Sequence, residues 1–388
     1  MPEVRPLRGM RFSPERVDIR GAVTPPYDVG DEDEWRRLLK RPVTAAKLLA
    51  PTGGDRKYSQ ARDWLERWLS DGTLTVDPKP SLYLYRQRFH HKGRERERWG
   101  VICLVELREY GDGIFPHEHT HEEPIEDRLK LLRACKAHFG PVFMLYRDPE
   151  GALLPKPEGR PLYDFEAPGR TKNTVWRIAS PEAIEAFCQG LKKKELLIAD
   201  GHHRYEASLR LRREGGPNYV LAHLVRAEDS GLLILPLHRI IKGNSPRLAQ
   251  ILKALERAGF NLERSMFEDV PRGCLGLKAG TASFLLRIPS TERLKRFLDG
   301  EPEPLKPLEI TVLHKAVLEG LLGDPEVEYE PDEKRAQTVA SRGRPVFFLP
   351  PVSVDDIERV AKAGLRMHPK TTYFHPKPLS GLIMWKFE

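Results

Sequence analysis

The sequence has 388 residues, 40% hydrophobic and 31% charged, the balance of an ordinary soluble folded chain. Its 64 Lys and Arg against 56 Asp and Glu leave a net charge of +8, which is mild at this length and is no nucleic-acid signature. No apolar run approaches the ~18 residues of a membrane span, and "MPEVRPLRGMRF" lacks the apolar stretch of a secretory signal, so a cytoplasmic protein is expected.

The length exceeds what a single core usually organises, so two domains or one elaborated domain are expected. The first fifty residues read as turns and short strands, with Asp31 placed to cap a helix running to Leu39. Tyr58, Ala61, Leu65, Trp68 and Leu69 recur at helical spacing, and Gly72 ends that helix. "SLYLYRQRF" and "RWGVICLVEL" read as strands, with "HHKGRER" as the loop between them. A helix is expected from Pro124 to Ala137 and a strand from Val142 to Tyr146, followed by a surface excursion rich in Pro and Gly. "TVWRI" is a strand, and Ser180 and Pro181 open the next helix as cap and first residue. "LLIAD" is a buried strand that runs through Gly201 into a helix starting near His203, with Tyr205, Leu209 and Leu211 inward. "NYVLAHLVRA" and "GLLILPLHRII" are strand-like. Past "KGNSPR" come a helix ended by Gly259, the strand "TASFLLRI", the helix "EITVLHKAVLEGLLG", the strand "PVFFLPP", the capped helix "SVDDIERVAKAG" and a last strand. The class is α+β with a mixed sheet and additional α/β elements, divided into a catalytic region, 1–245, and a C-terminal α/β region, 246–388. Cys103, Cys135, Cys188 and Cys274 are far apart with no C-x-x-C pair, and read as free thiols.

Four groupings could carry chemistry. In Asp200-Gly201-His202-His203-Arg204 the glycine permits a tight turn and the turn opens a helix, whose free N–H groups and dipole attract anions. Arg204 adds a fork suited to phosphate or carboxylate, and Asp200 could bind a divalent cation or act as a base. His117, His119 and His121 alternate on an extended segment, as a metal site requires, with Glu118 among them as a candidate base. Asp127 and Arg128 lie on the helix that follows, where Asp127 and Lys130 could be no more than a surface ion pair. Lys370 and Thr371, with Lys377 beyond, could hold phosphoryl oxygens without a glycine-rich P-loop. Pro25 and Pro26 stiffen a turn that could aim Tyr27 and Asp28 into a site.

Taken together, "VRPLRG", "TPPYDV", "FPHEHT", "EDRLKLLRA", "IADGHHRYEASL", "ILPLHR" and "RMHPKTTYFHPK" resemble, in that order, an uncharacterised conserved bacterial family with the patterns PPYDV, ADGHHRYE and PPKSTYF. The Asp-Gly-His-His-Arg run also resembles the signature loop of the ParB/sulfiredoxin-like superfamily. His202 stands where sulfiredoxin has its cysteine, which removes that reaction, and only Gly201 and Arg204 match the ParB loop. The free serine kinases, with an Asp-Gly-His loop that holds phosphate and a separate glutamate base, are the best match. This resemblance implies a ParB/sulfiredoxin-like core and a phosphotransferase that makes phosphoserine from free L-serine with pyrophosphate or ADP as donor. It implies catalytic roles for Glu118, Asp200 and His202, with Asp200 on Mg²⁺. Gly201, His203, Arg204, His117, Lys370 and Thr371 would bind phosphate or substrate, supported by His238, Arg239, Asp127, Arg128, Tyr27 and Asp28.

Two other classes compete. A metal-dependent phosphohydrolase would use His117, His119 and His121. A ParB-like nucleotide or nucleic-acid binder would use the shared loop and the positive charge. The sequence leaves the oligomeric state open.

Overall fold

A computed structural model describes the chain except Asp31, residues 244–246, Glu388 and the Asp55 side chain. The expected cap at Asp31 lies outside the described residues; the helix beyond it spans Glu32–Leu39. The chain forms two compact units, Met1–Leu233 together with Pro376–Glu388, and Ile234–His375. The first division thus falls before 245, and the end of the chain returns to the first unit.

The first unit is built on a mixed nine-stranded sheet. Its strands are β1 (Val4–Arg5), β2 (Leu82–His91), β3 (Arg94–Glu106), β4 (Ile114–Pro116), β5 (Val142–Tyr146), β6 (Tyr163–Ala167), β7 (Thr171–Ile178), β8 (Leu196–Asp200) and β9 (Tyr219–Arg226). Their order is β4-β8-β5-β9-β3-β2-β7-β6, with β1 added to β3. The unit's four longest helices are α1 (Lys57–Ser70), α2 (Glu122–Cys135), α3 (Pro181–Leu191) and α4 (His202–Arg213). Side chains alternate between the sheet's faces. Leu84, Val101, Cys103, Met144 and Leu224 pack with Phe187 and Leu191 of α3 and Tyr205 and Leu209 of α4. Tyr83, Tyr85, Ile102, Leu104 and Leu221 point the other way, onto Leu382 and Ile383 of the C-terminal return. A third cluster joins Ala61, Leu65 and Trp68 of α1 to Leu131 and Cys135 of α2 and to Met384.

Most expected elements are present within a few residues of their expected bounds. Ser180 caps α3 by accepting from the Ala183 amide at 3.2 Å. "HHKGRER", expected as a loop, is mostly strand. Lys92 (φ 48) and Gly93 (φ 74) make the reversal by themselves, and a two-residue turn with both φ positive matches the twist of the flanking strands. The four cysteines are free thiols. Among the described residues no helix is long and apolar enough to cross a membrane.

The pairing of β8 positions the site. It runs parallel to β4 (Leu196↔Ile114, Ile198↔Pro116), so the segments after Pro116 and after Asp200 leave the sheet side by side. It runs antiparallel to β5, with Asp200 opposite Phe143, which brings Pro141 to the same edge.

The second unit holds a six-stranded antiparallel sheet. Its strands are β10 (His238–Ile241), β11 (Asn261–Arg264), β12 (Cys274–Ala279), β13 (Ala282–Arg287), β14 (Val327–Glu330) and β15 (Val346–Phe348), in the order β11-β13-β12-β15-β10-β14. The strands Leu233–Pro236 and Thr372–His375, at the two ends of this unit, pair with each other. "EITVLHKAVLEGLLG" is α-helical only at Glu309–Thr311 and becomes a π-helix at Val312–Leu321.

Gly100 sits inside β3, where an added Cβ would meet His223 Nε2, Val225 Cγ2 at 2.6 Å and the Leu224 carbonyl oxygen at 2.7 Å. The last of these is backbone of the neighbouring strand and cannot swing away. Gly100→Ala should therefore cost about 1–3 kcal/mol, read as a lower denaturant midpoint at unchanged m-value.

Candidate active site

Asp200, the last residue of β8, is buried, with two cations on its two oxygens. Arg204 Nη2 donates to Oδ2 at 2.8 Å, and Lys377 Nζ donates to Oδ1. Burial alone would raise the Asp200 carboxyl, but Lys377 and then Arg204 outweigh it and hold the group below its ordinary value. The same balance raises Lys377: burial opposes its charge, and Asp200 and Asp28 restore it.

Gly201 follows with φ +90, and the guanidinium of Arg204 folds back over it. A Cβ at Gly201 would lie 2.9 Å from Arg204 Cζ and 3.0 Å from its Nε, so glycine is required for conformation and for space. Arg204 also donates from Nη1 to the Pro141 carbonyl. Its Nε is buried and has no hydrogen-bond partner among the described residues. Arg204 is only 9% exposed, so this N–H is a desolvated donor at the N-terminus of α4.

The two histidines between Gly201 and Arg204 reach across to the segment after β4. His202 Nε2 accepts from the His117 amide at 3.4 Å, and His203 Nε2 accepts from the His121 amide at 3.1 Å. Both Nε2 atoms are thus acceptors, which places the proton of a neutral ring on Nδ1. In His202, Nδ1 faces Glu118 Oε2 at 3.6 Å. The rings expected to hold phosphoryl oxygens thus each accept an amide of the loop that carries Glu118.

His117, His119 and His121 do not share one side. His117 is fully buried, its Nδ1 2.8 Å from the Ile198 carbonyl, whereas His119 and His121 are exposed. Among the described residues no group of three or more His, Cys, Asp or Glu side chains is disposed to hold a metal ion. Asp200 does not fit the expected Mg²⁺ role either, since a metal would have to displace Lys377 or Arg204 from its oxygens.

Tyr27 packs under Arg128, whose Cζ lies 4.0 Å from the ring centroid. Burial and then Asp28 push the Tyr27 hydroxyl up to about 12, while Arg128 and Arg204 pull the other way. Arg128 bonds the Leu49 carbonyl and Asp127. Asp127 also accepts from Lys57 Nζ at 2.6 Å and Tyr58 Oη at 2.7 Å, both on α1. The "PPYDV" turn, the "EDRL" helix and the "DGHHR" turn thus belong to one neighbourhood of the first unit.

With this geometry in place, comparison with known proteins is informative about family. The model of a family described as protein of unknown function, DUF1015, matches residues 4–314. The chain belongs to this family. No curated protein matches it. Among solved structures, a free serine kinase variant in complex with ADP is 18% identical, covering 72% of this chain and 91% of its own, at a TM-score of 0.37. A conserved hypothetical protein from Pyrococcus furiosus is 17% identical, covering 72% and 94%, at 0.35. SbnI from Staphylococcus aureus, truncated at its C-terminus, is 14% identical, covering 72% and 85%, at 0.38. Backbone agreement at this level is too low to establish a shared fold.

Four expected site residues of this family member lie in the second unit. His238 is buried against Phe348 and accepts the Leu349 amide at 3.3 Å. Arg239 is fully buried, bonded to His314 Nε2 at 3.1 Å and to the Leu237 and Lys370 carbonyls, and burial lowers it to about 10. Thr371 is buried and donates to the His368 carbonyl. The lysine on Asp200 is Lys377, from the second of two His-Pro-Lys triplets, 368–370 and 375–377. That repeat was the one sequence signal for it.

Two predictions follow from these contacts. Gly201→Ala should destabilise by about 1–3 kcal/mol, because the strained φ and the displaced guanidinium add; thermal or denaturant unfolding measures it. Burial would raise the Asp127 carboxyl, but Arg128, Lys57 and Tyr58 lower it from 3.8 to about 2. A depressed carboxyl adds stability that is full above pH 3.8 and is lost as pH falls through about 2. Asp127→Asn should therefore be less stable than wild type at neutral pH, with the difference shrinking over that acid window in a pH series of urea titrations.

Proposed function

We propose that this protein is a small-molecule phosphotransferase with a ParB/sulfiredoxin-like core, phosphorylating free L-serine with pyrophosphate or ADP as donor. The observation that carries the reading is the buried Arg204, folded over Gly201 at the first turn of α4 with an unanswered N–H. A helix N-terminus with a desolvated guanidinium is a site for an anion, and a phosphoryl oxygen is the acceptor it lacks. The resemblance of the "ADGHHRYE" run to the loop of free serine kinases gives that anion its identity.

In this reading Arg204 and the α4 amides hold the transferring phosphoryl group and offset the charge that builds on it. Glu118, one-third exposed and steadied by His202, takes the proton of the serine hydroxyl. The serine oxygen forms the new bond to phosphorus as the bond to the leaving group breaks. Pyrophosphate leaves as phosphate, ADP as AMP. Tyr27, Asp28, Asp127 and Arg128 lie around the acceptor. Asp200, with Arg204 and Lys377 on its two oxygens, holds these cations in place.

The test is incubation of purified protein with L-serine and each of pyrophosphate, ADP and ATP, with phosphoserine measured by mass. The expected result is phosphoserine with pyrophosphate or ADP, and a kcat lower by about 10²–10⁴-fold in Glu118→Gln. No phosphoserine with any of the three donors overturns the reading.

A further inference from the structure

Lys377 lies outside the span matched by the family model, which ends at residue 314. Its place is nevertheless fixed. The strap that carries it is tied to the sheet by Arg98 Nη2, which donates to the Pro376 carbonyl, and by Gln87 Nε2, which donates to the Lys377 carbonyl at 3.3 Å. Arg98 and Gln87 are each 1% exposed, so these ties are made in the interior. Further along, Ser380 pairs with Thr24, Met384 with Met10, and Trp385 with His138. The side chain of Lys377 is 14% exposed and ends on the carboxylate that also holds Arg204.

Asp200 binds both cations, and Asp28 lies near enough to favour the charge of Lys377. Both cations lie at the α4 N-terminus, where the dipole favours an anion and where the buried Arg204 Nε has no acceptor among the described residues. Resting on the phosphotransferase reading, we propose that Lys377 is the second cation of the donor site. The donor's terminal phosphoryl group is held between Lys377 and Arg204, and Asp200 is the positioning residue that sets the two side by side. The C-terminal return therefore completes a phosphate site whose other half is the Asp-Gly-His-His-Arg turn.

The experiment is titration calorimetry of the full chain with inorganic pyrophosphate and, separately, with ADP, on wild type, Lys377→Met, Lys377→Arg and the double variant Asp200→Asn/Lys377→Met. Lys377→Met leaves Asp200 paired with Arg204, and the double variant also removes that carboxylate and so reads the loss of Lys377 without the Asp200 anion facing the donor; melting curves verify each fold. The expected result is micromolar-to-millimolar binding by wild type, weakened by added salt, and about ten-fold or greater loss in both Met variants. Most of the affinity should return in Lys377→Arg. Binding by the folded Met variants equal to that of wild type overturns the role of Lys377 while leaving the donor-site reading intact. Wild type that binds neither probe overturns that reading and this one together.

Discussion

The bridge from Arg204 to Asp200 to Lys377 is the constraint on which the site's arrangement depends. A carboxylate at the buried end of a central strand would be strongly disfavoured alone, since interior charges are tolerated only when paired and well bonded. Here both oxygens are used, one by a residue four positions on and the other by a residue 177 positions on. The local partner fixes how the chain turns from β8 into α4. The distant partner fixes where the C-terminal return crosses the sheet.

Around this bridge the neighbouring pieces are set by ordinary hydrogen bonding. The parallel register of β4 and β8 delivers two loops to one edge, and the histidines of one loop accept amides of the other. The Nε2 atoms of His202 and His203 accept backbone amides, and Glu118 lies beside Nδ1 of His202. On the other flank, Arg128 is shared between a carboxylate, a carbonyl and the face of Tyr27, which stiffens the proline turn at Pro25 and Pro26. The polar residues form a connected frame and not a set of independent surface charges.

Much of this frame was legible in the sequence and some of it was not, for physical reasons. The strand–glycine–helix passage at Asp200 to Arg204 follows from local periodicity and from the conformational freedom of Gly201. The helices α1, α2 and α3 follow from spacing and from the Ser180 cap. The role of His202 and His203 depends on which amide each ring nitrogen meets, 85 and 82 positions away, and composition carries no trace of that. For the same reason the three alternating histidines looked like a ligand set, yet one is buried against a carbonyl and two face solvent. Of the two His-Pro-Lys triplets the first looked the richer, being followed by hydroxyls. It is the lysine of the second that lies in the first unit, a distinction made by chain topology alone.

The paired strands at the ends of the second unit bear on how the chain folds. Bringing residue 377 to residue 200 through a disordered connection would carry a loop-closure cost of roughly 5 kcal/mol. With the intervening unit folded and its entry and exit zipped together, the connection is short, and most of that entropy has already been lost by the insert. Stability of the inserted unit is therefore coupled to the first unit's polar edge through the chain itself. A mutation that loosens the ladder of Leu233–Pro236 and Thr372–His375 lengthens the tether that delivers Lys377, and so acts on Asp200 without touching it.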